Sequence, residues 1–331
     1  MKAIRFYVLM FAMFLVFSGC APAPGTRPEA NQKPEVYVSD LGGGYGLAFD
    51  SSSVLYAAGK DGGKFVVWKI TGQETKEVYA VLDMHDPILS MLNASSGLTG
   101  NMTVDNLGTV WITSALNGQC FAAAPGKDAR VVYVNKSITS LFDVENSEGV
   151  AYDPDNGALY IVTAGPDPSE RYSNKLVCHI SSHRPSSENF ADGVSVRENG
   201  WDPAPLYINN EGIELKYPGV GLIKGAGSGL YYIGSDQLYE VQEDVKPIGK
   251  KFTGLALKGG AVDSAGTLYV SANAKDDPKS TKGAIYKMDA DRKVTLLLKD
   301  VGKPYGLAWR DGYLYFVEGS GDRILRVKTG E

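Results

Sequence analysis

Apolar residues recur along this chain in short runs, each bounded by Gly, Asp, Asn or Pro. Side chains on a strand alternate between faces, so such runs predict short β-strands separated by turns. One phrase returns six times: an apolar strand, a turn with Asp and Gly, then Leu-Tyr or its equivalent with more apolar residues. The copies are GLAFDSSSVLYAAG (46–59), NMTVDNLGTVWITS (101–114), GVAYDPDNGALYIVT (149–163), GLIKGAGSGLYYIG (221–234), GAVDSAGTLYVSA (260–272) and GLAWRDGYLYFVE (306–318). The paired positions begin at 55, 110, 159, 230, 268 and 314. The mean spacing is about 52 residues, near the length of a propeller blade.

The phrase has a physical logic. Asp at a turn bonds the backbone two residues on, and Gly accepts a positive φ without steric cost. Together they predict a hairpin. The second strand is apolar on both alternating sets, as in Leu159-Tyr160-Ile161-Val162. A strand buried on both faces reads this way, and blades stacked face to face bury both sides of each sheet.

A third strand follows in FVVWKI (65–70), KLVCHI (175–180), QLYEV (237–241), AIYKM (284–288) and RILRV (323–327). A fourth appears in EVYAVL (77–82), RVVYV (130–134) and VTLLL (294–298). Six units of four strands predict an all-β fold, a six-bladed β-propeller.

The last unit stops after three strands. SDLGGGYGLAFD (39–50) and KDVGKPYGLAWR (299–310) share six of twelve positions at a 260-residue offset. On that offset EVYVSD (35–40) aligns with TLLLKD (295–300). Residues 35–40 therefore supply the missing fourth strand, with Val36–Ser39 pairing near Ile324–Val327. Closure of the ring removes edges that would otherwise template aggregation.

Elaborations stand out against the repeat. Asp86 and Pro87 make an N-cap and first helical position, predicting a short helix within 83–100. Residues 164–174 and 273–283 lengthen loops that open on the same face. The longest insertion, 181–217, must hold the fourth strand of the third unit, with PLYIN (205–209) the candidate; a degenerate extra blade there is the alternative.

The N-terminus reads differently. Lys2 and Arg5 precede an apolar run from Phe6 to Phe17 and a small-residue ending, the order of a secretory signal. The run is too short for a bilayer span, which needs ~20 residues. FSGC resembles the bacterial lipobox, with Phe17 where Leu is usual. The resemblance implies a signal peptide over 1–19 and a diacyl or triacyl Cys20 holding the chain to a membrane. Residues 20–34, rich in Pro, Gly and polar side chains, read as an extended tether, leaving 35–331 as the propeller. Ala21 follows the Cys where an inner-membrane retention signal would have Asp. The expected location is thus the bacterial cell envelope, facing the periplasm or exterior, at the outer membrane where there are two.

Composition narrows the partners. Hydrophobic residues make up 44% and charged residues 21%, a globular balance. Net charge is −5, and loss of Lys2 and Arg5 with the leader lowers it further. No basic block exceeds two residues, so no nucleic-acid partner is expected, because phosphate contacts need clustered Lys and Arg. A monomer is expected.

Catalytic motifs are scarce. The three His (His85, His179, His183) form no H-E-x-x-H or His-x-His pattern, and no paired Cys motif occurs, so a zinc site of the usual kind is disfavoured. There is no G-x-S-x-G elbow or P-loop. The GGGYG run (42–46) leads into a strand rather than a helix and fits a tight crossing between blades. Cys120 and Cys178 fall on opposite faces when third strands are aligned, favouring buried thiols over a disulfide.

LYFVEGSGDRILRV (314–327) resembles the repeat of NHL-type propellers. EGVAYDPDNGALYIVT (148–163) resembles the blade opening of the gluconolactonase and senescence-marker-protein family. That resemblance implies a metal-dependent lactonase with Glu, Asn and Asp ligands near the starts of different innermost strands. Here the residues before the first-strand glycine, or its aligned equivalent, are Tyr45, Gly100, Glu148, Val220, Lys258 and Tyr305. Only Glu148 matches a ligand type, and Asn101, one position on, is expected to point elsewhere by strand alternation. One carboxylate falls short of the six to eight oxygens calcium takes. No metal or cofactor is therefore expected, with Ca²⁺ at Glu148 as the alternative.

The ligand-binding candidates are Tyr45, Glu148, Lys258 and Tyr305, since tyrosine offers an apolar face with a polar tip. The bland reading of the same residues is loop packing and solvated charge. Glu318, at the end of the last unit, is a second candidate, a solvated strand end being its simpler reading. Three functions stay open: a binding module for an envelope protein, glycan or small molecule; a lactonase-type hydrolase; and a structural envelope lipoprotein.

Overall fold

Turn chemistry organises the strands. In a computed structural model, Asp50, Asp105 and Asp263 each end the first strand of a unit. One oxygen of each accepts from the backbone two and four residues on: Ser52 and Val54, Leu107 and Thr109, Ala265 and Thr267. The other oxygen takes the polar tip of the aromatic six residues downstream: Tyr56 at 3.3 Å, Trp111 at 2.9 Å and Tyr269 at 2.9 Å. Each carboxylate thus sets the turn and the pairing of the strand that follows. Asp105 is only 2% exposed, a burial its full set of donors permits.

The structure describes residues 33–82, 101–114, 119–126, 130–134, 147–166, 176–183, 204–206 and 220–329, save 226, 228, 243–244, 276, 278 and 320–321. All described elements are strands and fall in the unit Pro34–Glu331. After β1 (Glu35–Val38) they come in fours: β2 (Leu47–Phe49), β3 (Leu55–Asp61), β4 (Lys64–Gly72) and β5 (Thr75–Val81), then β6 (Met102–Val104), β7 (Val110–Ser114), β8 (Gln119–Ala123) and β9 (Arg130–Val134). The third group is β10 (Ser147–Asp153), β11 (Ala158–Pro166), β12 (Leu176–His183) and β13 (Ala204–Leu206); the fourth is β14 (Gly221–Lys224), β15 (Leu230–Ile233), β16 (Leu238–Val241) and β17 (Val245–Ile248). The fifth is β18 (Leu255–Val262), β19 (Leu268–Ala274), β20 (Lys282–Met288) and β21 (Val294–Gly302), followed by β22 (Pro304–Arg310), β23 (Tyr313–Glu318) and β24 (Arg323–Lys328).

The fold is an all-β propeller. Each group of four forms one antiparallel sheet, and β1 completes a sixth sheet in the order β1-β24-β23-β22. The first strands β2, β6, β10, β14, β18 and β22 neighbour one another in cyclic order, with β22 returning to β2. Apolar cores fill the spaces between neighbouring sheets. One joins β3 and β4 to β23 and β24 around Leu41, Leu55, Trp68 and Val317. The fourth strand of the third sheet is β13, which contains Pro205 and Leu206 of the expected segment. The helix expected within 83–100 and most of the 181–217 insertion lie outside the described residues.

β1 pairs with β24 through Glu35↔Arg326, Val36↔Leu325 and Val38↔Ile324, with a bulge at Tyr37. Glu35 and Arg326 form an ion pair at 2.5 Å. Leu41, fully buried, follows; its carbonyl accepts from Lys60 N at 2.8 Å and from Trp68 Nε1 at 3.0 Å. Gly42 and Gly43 then adopt positive φ and donate to the Asp322 carboxylate at 2.8 and 2.6 Å. A Cβ on Gly42 would lie 2.2 Å from the Lys60 carbonyl, so this crossing demands glycine.

Two units replace the turn Asp with a cation, and each cation reaches a neighbouring sheet. Lys224 lies 3.5 Å from Asp153 of the third sheet, both side chains less than a tenth exposed, and also donates to the Gly225 and Gly227 carbonyls. Arg310 donates to the Ser51 carbonyl at 3.3 Å.

Two stability outcomes follow. Deleting 35–40 is expected to lower the melting temperature of the whole domain, whereas Asp322→Ala should cost about 1–3 kcal/mol in chemical denaturation through the two stranded N–H groups. Truncation before residue 33 should leave the melting temperature unchanged. Lys224→Met leaves Asp153 buried without its cation and should cost about 3–5 kcal/mol, most of it recovered in the Lys224→Met, Asp153→Asn double variant.

Candidate functional site

The starts of the innermost strands converge on the ring axis. Glycines set how close they come. A Cβ on Gly149 would meet Leu222 N at 2.7 Å, one on Gly259 the Tyr305 carbonyl at 2.6 Å, and one on Gly306 the Tyr45 carbonyl at 2.4 Å. Each missing side chain is thus the space its neighbour's backbone occupies. Gly306 N donates to the Tyr45 carbonyl at 2.7 Å across the last junction, and Ser271 Oγ to the Tyr305 carbonyl at 2.6 Å.

The residue before the glycine is treated alike in three sheets. Glu148 stands at a bulge between Ser147 and Gly149, Lys258 between Leu257 and Gly259, and Tyr305 in the irregularity between Pro304 and Leu307. A bulge adds one unpaired residue and re-aims its side chain.

The result is a narrow mouth lined by Tyr45, Asn101, Val220, Lys258, Gly259 and Gly306, among others, with about 10 Å³ of free volume, room for about one water. Tyr45 and Tyr305 meet edge to face, ring centroids 4.7 Å apart at 88°. The Tyr305 ring also lies against Gly319, where a Cβ would come within 2.3 Å of it. Tyr45, Lys258 and Tyr305 are all half-buried. The structure therefore brings three of the four sequence-derived candidates together. Glu148 lies on β10 in the same ring of positions, with its side chain outside those described.

Burial governs the ionisation of these groups. It raises the Tyr45 phenol, helped by the Asp322 carboxylate, and raises Tyr305, helped by Tyr45. It lowers the Lys258 ammonium, and Lys303 lowers it further. Among the described residues no carboxylate pairs with Lys258.

Asn101 was missed by alternation because it precedes β6 and so obeys no strand period. It lines the mouth, and its Oδ1 accepts from Val150 N at 2.9 Å and Leu222 N at 3.3 Å, tying three units together. The signal lay in Gly221, whose absent Cβ would sit 3.3 Å from the Asn101 amide. Glu318 is not a solvated strand end. It is 7% exposed, accepts from Gly302 N at 3.1 Å and pairs with Arg323 at 2.6 Å, joining the fifth and sixth sheets.

These residues do not fit the divalent metal implied by the lactonase resemblance. The Asn101 oxygen already serves two backbone donors, and Lys258 places a cation where a metal would need anions. Among the described residues no group of three or more His, Cys, Asp or Glu is placed to hold a metal. Cys120 and Cys178 stand on β8 and β12 of different sheets, opposite Thr113 and Ala164; their side chains, and Cys20, lie outside those described.

No family model and no curated protein matches the chain in sequence. Solved structures do match in shape. A gluconolactonase from Xanthomonas campestris aligns with a TM-score of 0.57 at 13% identity, covering 90% of this chain and 89% of its own. The PQQ-bound aldose sugar dehydrogenase of Streptomyces coelicolor aligns at 0.56 and 13%, covering 91% and 99%. The calcium-binding protein regucalcin from Agrobacterium tumefaciens aligns at 0.53 and 13%, covering 90% and 94%. At such identities the shared property is the propeller fold.

Lys258 has a measurable signature. Its lowered value means that the unfolded chain binds the extra proton in the window up to 10.5, so folding stability rises with pH there. Below that window the cost of a desolvated charge is present in full. Lys258→Met is therefore expected to raise the melting temperature at neutral pH, with the gain shrinking toward pH 10.5. A variant that melts lower than the parent throughout would contradict this.

Proposed function

We propose that this chain is a lipid-anchored protein of the bacterial envelope: a six-bladed β-propeller, closed by its N-terminal strand, that binds a small ligand or an exposed segment of an envelope glycan or protein at the channel mouth. The observation that carries the reading is that Tyr45 and Lys258 line the mouth together, with Tyr305 packed edge to face on Tyr45. Ligand sites combine apolar or aromatic walls with a few directed polar groups, and this mouth has both. The ring closure supports the geometry, because Tyr45 follows directly on the segment gripped by Asp322. In this reading Cys20 carries the lipid and residues 21–34 the tether. A ligand screen followed by nuclear magnetic resonance or calorimetry tests the site: Tyr45→Ala and Tyr305→Ala should each weaken a bound ligand about tenfold, the worth of one well-packed aromatic contact. Ligands unaffected by either change would place binding elsewhere.

A second reading is a hydrolase of the lactonase type centred on Glu148, with Ca²⁺ as its metal. The fold likeness to gluconolactonases and the bulged position of Glu148 favour it; Lys258 and the engaged Asn101 oppose it. Stoichiometric metal in the purified protein, lost in Glu148→Ala, would overturn the binding-only reading.

A further inference from the structure

We propose that Lys258 makes the channel mouth an anion site, taking the carboxylate or phosphate group of a small ligand whose body lies over Tyr45 and Tyr305. The proposal rests on the mouth being a ligand site and adds the chemistry of the ligand. Three observations lead to it.

The first is a charge with no carboxylate partner among the described residues. Desolvating an ammonium without a counter-charge is costly. Lys258 lines the axis, and no carboxylate among the described residues pairs with it. Asp322, the carboxylate that acts on Tyr45, is committed to Gly42 and Gly43. Lys303 stands near enough to disfavour the charge on Lys258 further. An arriving anion would relieve both penalties at once.

The second is the surrounding field. Residues 245–303 hold twelve Lys or Arg against six Asp and no Glu, in a chain whose net charge is −5. Much of this excess lies at the mouth end of the fifth sheet. Leu255 pairs with Ala274 where β18 begins and β19 ends. Lys275 N donates to Gly254 O at 3.0 Å, and Lys303 N to Thr281 O at 3.1 Å, so the loops before β18, after β19 and before β22 share that end. They carry Lys250, Lys251, Lys275, Lys279 and Lys303 in addition to Lys258. Lys251 is paired with Asp236 and Lys282 with Asp300, Lys275 and Lys303 have interactions of their own, and Asp277 stands in the same loop, so the excess is partial. A local positive field of this kind concentrates anions at a cleft.

The third is size and direction. Free volume of about 10 Å³ holds about one atom the size of a water, so one oxygen of the anion enters beside Lys258 and the rest of the ligand stays outside, against the tyrosine pair. β1 runs from Glu35, opposite Arg326, toward Val38, opposite Ile324, so the chain enters the ring at the end away from the mouth. A small anion therefore fits better than the headgroups of an anchoring membrane.

Isothermal titration of the purified full-length chain in detergent tests this, with inorganic phosphate and with citrate as probes at an ionic strength fixed by sodium chloride. Saturable binding of at least one probe is expected, and the stronger probe identifies the group. Lys258→Met should weaken it about tenfold or more, the worth of one charge-assisted hydrogen bond. Lys258→Arg should retain binding, and the exposed Lys328→Met should leave it unchanged. Affinity should fall with rising pH earlier than an exposed lysine would titrate. No saturable binding of either probe, or equal binding by Lys258→Met, overturns the proposal. A neutral ligand lost in Tyr45→Ala but kept in Lys258→Met would overturn the anion assignment while leaving the mouth a ligand site.

Discussion

The contact between the two ends of the folded chain is the constraint on which the rest depends. Four residues of β1 complete the sixth sheet, and Leu41 fills the core between the sixth and first sheets. Asp322 then fixes the glycines that turn the chain toward Tyr45. Remove this junction and the sixth sheet has an open edge, the first sheet loses a buried neighbour, and Tyr45 loses its position beside Tyr305. Loop closure over nearly the whole chain is entropically costly, so the junction is built from several kinds of contact: ladder hydrogen bonds, an ion pair, a buried leucine and a carboxylate grip.

The two ends of the ring are built by different rules. At the hairpin end, Asp carboxylates bond backbone and an aromatic tip, consuming their acceptors internally. Where Asp is absent, Lys224 and Arg310 bond the adjacent sheets instead. At the mouth end, glycines draw the inner strands together and irregularities in three of them set one residue apart. Polar capacity there is satisfied only in part, by Asn101 and Ser271 on backbone groups. One end secures the scaffold and the other presents chemistry, a division common where loops on a rigid frame carry function.

Propellers of similar shape include a gluconolactonase, a sugar dehydrogenase and a calcium-binding protein. A shared ring permits unrelated chemistries because the axis residues come from strand starts that vary independently of the sheet core. Here the ring of starts supplies tyrosine, asparagine, valine and lysine among the described side chains, with Glu148 at the equivalent place on β10.

The repeat itself determined the strands, the turns and the closing segment, since alternation, turn chemistry and the 260-residue echo are local properties written in residue types. It also determined that Tyr45, Lys258 and Tyr305 are equivalent, because equivalence follows from alignment. What alignment could not decide is what those side chains meet. The bulges depend on pairing within one sheet, and the approach of inner strands across Gly149, Gly259 and Gly306, the bridging role of Asn101 and the bond from Gly302 to Glu318 on residues from different sheets. Such contacts, 16 residues apart for Gly302 and Glu318 and 121 for Asn101 and Leu222, leave no period in the sequence. Only the closed ring brings them within hydrogen-bonding distance, and only there does a half-buried lysine become distinguishable from an ordinary surface charge.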